Sequence, residues 1–167
     1  YVASSVHRSE EKVTEAFKTG KGVGWAEHDP MMFCGVERFF RPGYAANLVQ
    51  AWIPALEGVE EKLLRGATVA DVGCGHGITT IIMGQAFPKS SFIGFDFHAP
   101  SVDRANRLAA EAGLEGRVKF EVASAKDFPG SGYDLVACFD CLHDMGDPQG
   151  TSSHVLSTMD SDGSWLI

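Results

Sequence analysis

Asp71-Val72-Gly73-Cys74-Gly75-His76-Gly77 lies between an apolar run of strand length, Thr68–Val72, and an apolar run of helical length, Ile78–Ala86, which Pro88 closes. Glycines in a strand-to-helix turn let the chain reverse tightly and let a ligand approach the main chain. The first N–H groups of the helix that follows have no partners within it, so they face whatever sits on the turn. The stretch therefore predicts a βα unit with a ligand site at its junction.

Downstream, the same alternation continues. Residues 92–95 read as a second strand, and 100–112 as a helix with Pro100 near its start and Gly113 at its end. Val118, Phe120 and Val122 alternate with polar residues, as a third strand should. Residues 135–139 form a continuous apolar run, expected of a strand buried on both faces. A helix over 152–159 and a turn at Asp160-Ser161-Asp162-Gly163 lead to a last strand over 165–167. Strands alternating with helices predict α/β architecture: an open, mostly parallel sheet with helices on both faces.

Upstream, Ser9, Glu10 and Glu11 open a helix that runs to about Lys18, and Gly20-Lys21-Gly22 ends it. The aromatic, Met-rich stretch 25–40 carries no regular pattern. From Pro42 the period is helical, with Tyr44, Leu48, Trp52 and Leu56 recurring every fourth residue, and a short helix over 59–64 ends at Gly66. The chain divides into a helical, lid-like segment at 1–66 and a ligand-binding core at 67–167.

Composition narrows the partners. The formal net charge is -8, from 14 Lys+Arg against 22 Asp+Glu, and the basic residues are scattered rather than clustered. A nucleic-acid partner needs a basic face that displaces counterions, so none is expected. No run approaches the ~20 apolar residues of a membrane span, and the first residues carry no secretory pattern. Four cysteines, Cys34, Cys74, Cys138 and Cys141, are too few for a secreted disulfide scaffold, which points to a reducing, cytoplasmic setting. Cys138 and Cys141 have the C-x-x-C spacing of half a zinc site, but no second ligand pair exists, and no metal is expected.

The spacing of the glycine loop selects among ligands. The dinucleotide fingerprint G-x-G-x-x-G would put a glycine where Ile78 stands, and here the third glycine comes one residue early. Asp71 stands two residues before the first glycine, where a carboxylate would repel a pyrophosphate and suit a cationic ligand. Asp96 ends the second strand roughly 20 residues past Gly77, where an acidic side chain can accept both ribose hydroxyls.

D-x-G-x-G-x-G after a strand resembles the first motif of class I S-adenosylmethionine-dependent methyltransferases, a Rossmann-like family. The resemblance implies that Asp71, Gly73, Cys74, Gly75 and Gly77 hold the methionine part of S-adenosylmethionine, with its ammonium and sulfonium charges. It implies that Asp96 takes the ribose and that Phe97 packs on adenine. Val122-Ala123-Ser124-Ala125 matches the family after strand three, with Ser124 standing where an acid is common beside the adenine amino group and Ala125 next to it. Residues 133–144, ending Asp140-Cys141-Leu142-His143-Asp144, resemble the fourth-strand motif, whose end lies beside the transferred methyl group. Asp140 is thereby a cofactor-binding candidate. His143 is a candidate general base, with packing against a helix start as its other reading. His76 is expected to point outward.

The resemblance covers about residues 67–167. Residues 38–44 further resemble bacterial methyltransferases with an N-terminal winged-helix domain, which is absent here and through which a homodimer would form. By the same resemblance, Phe33, Phe39, Phe40 and Tyr44 are expected as lid or pocket lining, and two C-terminal strands of the usual seven are expected beyond this chain. The expected reaction is methyl transfer to O, N, C or S of a small-molecule acceptor. A non-catalytic S-adenosylmethionine-binding regulatory module and an NAD(P)-dependent oxidoreductase are the alternatives.

Overall fold

The computed structural model describes residues 1–167, which fall into two compact units, Tyr1–Pro42 and Gly43–Ile167. The first unit holds α1 (Val2–Arg8), α2 (Glu10–Thr19), a 3-10 turn at Trp25–Glu27 and most of α3 (Pro30–Asn47). Gly20 closes α2 in a left-handed conformation, with φ 73°, as its sequence position predicts. Arg8 pairs with Asp29 at 3.2 Å, Lys12 donates to the Glu27 carbonyl, and Trp25 packs edge-on against Phe33.

Two expectations for this region are corrected. Pro42 does not start a helix, because it lies inside the 18-residue α3 that begins at Pro30. Pro30 takes the first-turn position, where its missing N–H costs nothing. Pro42 removes one rung of the ladder at an exposed position, and the boundary between the two units falls directly after it. The stretch that showed no pattern is thus largely helical. The fourfold apolar spacing from Tyr44 to Leu56 is carried by the end of α3, a π turn at Leu48–Trp52 and a following turn.

The second unit is doubly wound. α4 (Val59–Arg65) leads into β1 (Thr68–Val72), α5 (Ile78–Ala86), β2 (Ser91–Asp96), α6 (Ala99–Glu111), β3 (Val118–Val122) and β4 (Tyr133–Ala137). A 3-10 turn (Leu142–Asp144), α7 (Pro148–Thr158) and β5 (Met159–Leu166) complete it. The sheet order is β3-β2-β1-β4-β5 and every pairing is parallel, so β1 and β4 are central neighbours. The parallel register brings the carboxyl ends of all strands to one edge, and the strand order reverses beside β1, where ligands bind in such sheets.

Both faces of the sheet are covered, which is why its central strands read as apolar runs. Val69 and Leu135 face one core with Leu48, Leu63, Met83 and Phe87, while Ala70, Val72 and Val136 face another with Phe95, Phe128 and Val155. Thr68 N–H donates to the Asp134 carboxylate at 2.8 Å, fixing the start of β1 against β4. The Arg117 guanidinium spans the carbonyls of Gly84, Phe87 and Ser90, which ties the end of α5 to the strand it feeds.

Three downstream boundaries differ from the sequence reading. β4 ends at Ala137 rather than Phe139, because the chain turns sharply at Asp140. α7 starts at Pro148, capped by the Asp147 carboxylate on Gly150 N–H at 2.8 Å. The expected turn at Asp160–Gly163 lies within β5, absorbed by a register shift in which Tyr133 pairs Met159 but Leu135 pairs Ser164. No helix is long and apolar enough to cross a membrane.

Candidate cofactor site at the carboxyl edge of the sheet

β1 carries Asp71 into the core, where it is 1% exposed. Its Oδ2 accepts from the hydroxyls of Thr79 and Thr80, both at 2.6 Å, while its Oδ1 is buried without a partner. Burial raises the carboxyl, against the pull of the two threonines, to about 6. A buried carboxylate oxygen with nothing to accept from is costly, and it is the atom a cationic group would satisfy.

The loop that follows is tied to β2 rather than loose. Gly73 and Cys74 N–H groups donate to the Phe95 carbonyl at 2.8 and 3.1 Å, and Gly75 N–H donates to Asp96 Oδ2 at 2.9 Å. Asp96 is 8% exposed, and its Oδ1 accepts from His98 N–H at 2.8 Å. Each oxygen of this carboxylate thus holds one backbone turn and retains lone-pair capacity toward the open edge. Phe97 beside it is exposed.

The glycines are required for different reasons. At Gly75, with φ 53°, a side chain would project into open space. At Gly77, with φ 74°, a Cβ would overlap the Phe120 ring. Gly77→Ala is expected to lower stability by about 3 kcal/mol, from left-handed strain plus overlap. Gly75→Ala should cost about 1 kcal/mol, since only the strain applies. Urea denaturation midpoints at unchanged slope measure both, and equal losses would contradict the distinction.

Beyond β3, Ser124 and Ala125 lie half-buried, and Ser124 Oγ accepts from Lys126 N–H at 3.2 Å. Beyond β4, Asp140 is the one non-glycine residue with positive φ, 50°. A left-handed non-glycine residue costs about 1 kcal/mol or more and persists where its surroundings hold it. Asp140 Oδ2 accepts from the Tyr44 hydroxyl at 2.7 Å. Cys141, next in the chain, donates its thiol to the Val72 carbonyl at 3.1 Å and lies against Gly73. Asp140, Cys141, Leu142, His143 and Pro148 line a cavity of about 370 Å³. The His143 ring is exposed, with Asp144 at 3.6 Å.

The residues singled out from the sequence in the core, from Asp71 to His143, therefore come to one edge. Phe33, Phe39 and Phe40 belong to the first unit, where Phe33 is buried and Phe39 is 75% exposed. His76 is half-buried. Sequence reasoning missed Thr79 and Thr80 as partners of Asp71. The available signal was two hydroxyls in the first turn of an otherwise apolar helix. It also missed the Tyr44–Asp140 bond, and Asp96 as the tie between two turns.

A family model described as a methyltransferase domain matches residues 63–167. The ubiquinone biosynthesis O-methyltransferase of Bordetella avium (strain 197N) is 31% identical over 138 residues, covering 78% of this chain and 52% of that protein. The chain spans about half the length of that relative and about a third of others, such as the 27-O-demethylrifamycin SV methyltransferase of Amycolatopsis mediterranei (strain S699), of which it covers 32%. The magnesium protoporphyrin IX methyltransferase of Synechocystis PCC 6803, solved with bound SAH (S-adenosylhomocysteine), superposes with a TM-score of 0.60 at 26% identity, over 75% of this chain and 56% of that one. The mitomycin 7-O-methyltransferase structure shares the fold at a TM-score of 0.74 and 19% identity, over 95% of this chain and 49% of that one. Because the family match takes in every strand of the sheet and the whole glycine loop, the chain belongs to the class I S-adenosylmethionine-dependent methyltransferases.

Proposed function

We propose that the chain binds S-adenosylmethionine over the carboxyl ends of β1 and β2 and transfers its methyl group to O, N, C or S of a small-molecule acceptor beside β4. The single observation that carries this reading is the buried, partnerless Oδ1 of Asp71, which suits the methionine ammonium. The open approach to the backbone at Gly75 supports it. In this reading Asp71, Gly73, Cys74, Gly75 and Gly77 hold the methionine part. Asp96 takes the ribose, Phe97 packs on adenine, and Ser124 and Ala125 border the ring. Residues 67–167 form the binding core, and residues 1–66 the helical segment that precedes it.

When bound, the group supplies an activated methyl on a sulfonium, so the protein need not generate an electrophile. The chain's own work is then alignment and exclusion of water. The covered sheet faces leave one open edge, and the cavity wall carrying Asp140, Cys141 and His143 adjoins it. His143 Nε2 or Nδ1 accepts the proton of a hydroxyl or amine nucleophile there. Relatives named for O-methyl transfer, such as the ubiquinone biosynthesis O-methyltransferase, make an oxygen acceptor the first to try. Four free thiols support a reducing, cytoplasmic setting.

Isothermal titration of the chain with S-adenosylhomocysteine and, separately, with NAD tests the cofactor. Saturable binding of the first with none of the second is expected. The reverse pattern would overturn the proposal.

A further inference from the structure

Resting on the cofactor reading above, we infer that Tyr44 is a positioning residue, which holds the Asp140 carboxylate as a second anionic contact for the amino-acid end of the cofactor.

The bond spans 96 positions of sequence and joins the last turn of α3 to the turn after β4, both within the second unit. The Tyr44 ring has little freedom, since it packs on Phe139 with centroids 5.6 Å apart and edge-on against Trp52 at 6.1 Å. Its hydroxyl is thereby aimed at Asp140. Asp140 in turn sits in the only left-handed non-glycine conformation of the chain, which directs its side chain differently from a continuing strand. A left-handed, exposed carboxylate held by a ring that is itself packed on two others is the kind of backbone outlier that collects at ligand sites.

The position of the pair says what it faces. Cys141, the next residue, is docked on Val72 and Gly73, so the Asp140 turn closes over the start of the glycine loop. Both the Asp140 and Asp71 charges act on the Tyr44 phenol, which burial and these carboxylates push far above the ordinary tyrosine range. The phenol is therefore a permanent donor, never a competing anion. Two carboxylates on one side of the loop, one buried and one exposed, suit a ligand end that carries a cation. They would repel a phosphate.

The test is a double-mutant cycle read by titration with S-adenosylhomocysteine. Tyr44→Phe is expected to weaken binding about tenfold, as for loss of a hydrogen bond that orients a charged group. Asp140→Asn should weaken it about tenfold or more, and the double variant should be no worse than Asp140→Asn alone. Losses that multiply across the two sites, or a Tyr44→Phe variant within twofold of the parent, would overturn the inference. 5′-Methylthioadenosine, which lacks the ammonium, supplies a readout that a general structural role would not spare. Its affinity should be the same in parent and Tyr44→Phe, and an equal loss for both ligands would also overturn the inference. A parent chain that binds neither ligand would remove the cofactor reading itself. A parent that binds S-adenosylhomocysteine but shows an additive cycle removes only the role of Tyr44.

Discussion

Asp71→Asn is expected to weaken S-adenosylhomocysteine binding by roughly 30- to 100-fold, the range for losing one partner of a charged hydrogen-bonded pair, while leaving the fold intact. The two effects separate because of what the carboxylate already does. An amide oxygen can still accept from Thr79 and Thr80, so the local bonds survive. What disappears is the charge that a ligand ammonium would meet at Oδ1. Replacement by Ala removes both roles and leaves two buried hydroxyls without an acceptor, adding about 1–3 kcal/mol of instability.

The sign of the pH response follows from the same carboxyl. Its folded value is raised from 3.8 to about 6. The stability it contributes is full below the unfolded value and is lost as pH rises through 6, a difference of about 3 kcal/mol in the ligand-free chain. Asp71→Asn should therefore be no less stable than the parent at pH 8, and relatively less stable at pH 4. Cofactor affinity runs the other way. It should be greatest above pH 6 and fall as Asp71 protonates below it, with the Asn variant flat across that interval. Thermal melts and titrations at pH 5 and pH 8 check both signs. Parallel profiles for parent and variant would show that Asp71 is not the ammonium partner.

His143→Ala should cut methyl transfer by about 10²- to 10⁴-fold, the usual contribution of a positioned general base. S-adenosylhomocysteine affinity should stay within about threefold, because the ring lies on the cavity wall beside β4 and not on the glycine loop. Being exposed, it contributes little to packing, so the melting temperature should hardly move. Labelled-methyl transfer to a panel of phenols, amines and thiols is the measurement. A variant as active as the parent would show that His143 takes no part in proton transfer. A variant that has lost cofactor affinity in proportion would place it in the binding site instead.

Much of this was legible in the sequence, and for definable reasons. β1, α5, β2 and α6 were readable because apolar periods met glycine and proline where strands and helices stop, as at Gly77, Pro88 and Gly113. The placement of Asp71 and Asp96 is legible because it follows from the carboxyl ends of β1 and β2. α3 was not, because Pro42 carries the same signal at a helix start as in an exposed helix interior. The end of β4 lies two residues before the end of its apolar run, because Cys138 and Phe139 stay apolar after the strand has ended, and only the backbone at Asp140 marks the stop. The full length of β5 is not legible, because Asp160–Gly163 has turn composition and a bulge can hold such residues in a strand. The bonds of Asp71 to Thr79 and of Tyr44 to Asp140 depend on how elements pack, and no local pattern encodes them.

The two-handed grip of Asp96 bears on binding thermodynamics. Gly75 and His98 are already anchored to its carboxylate before any ligand arrives. The turns beside Asp96, where the ribose is proposed to lie, are therefore ordered when the chain folds, and little entropy is left to lose on association. Binding should register mainly as heat released, with a heat-capacity change set by the ligand's own buried surface rather than by loop folding.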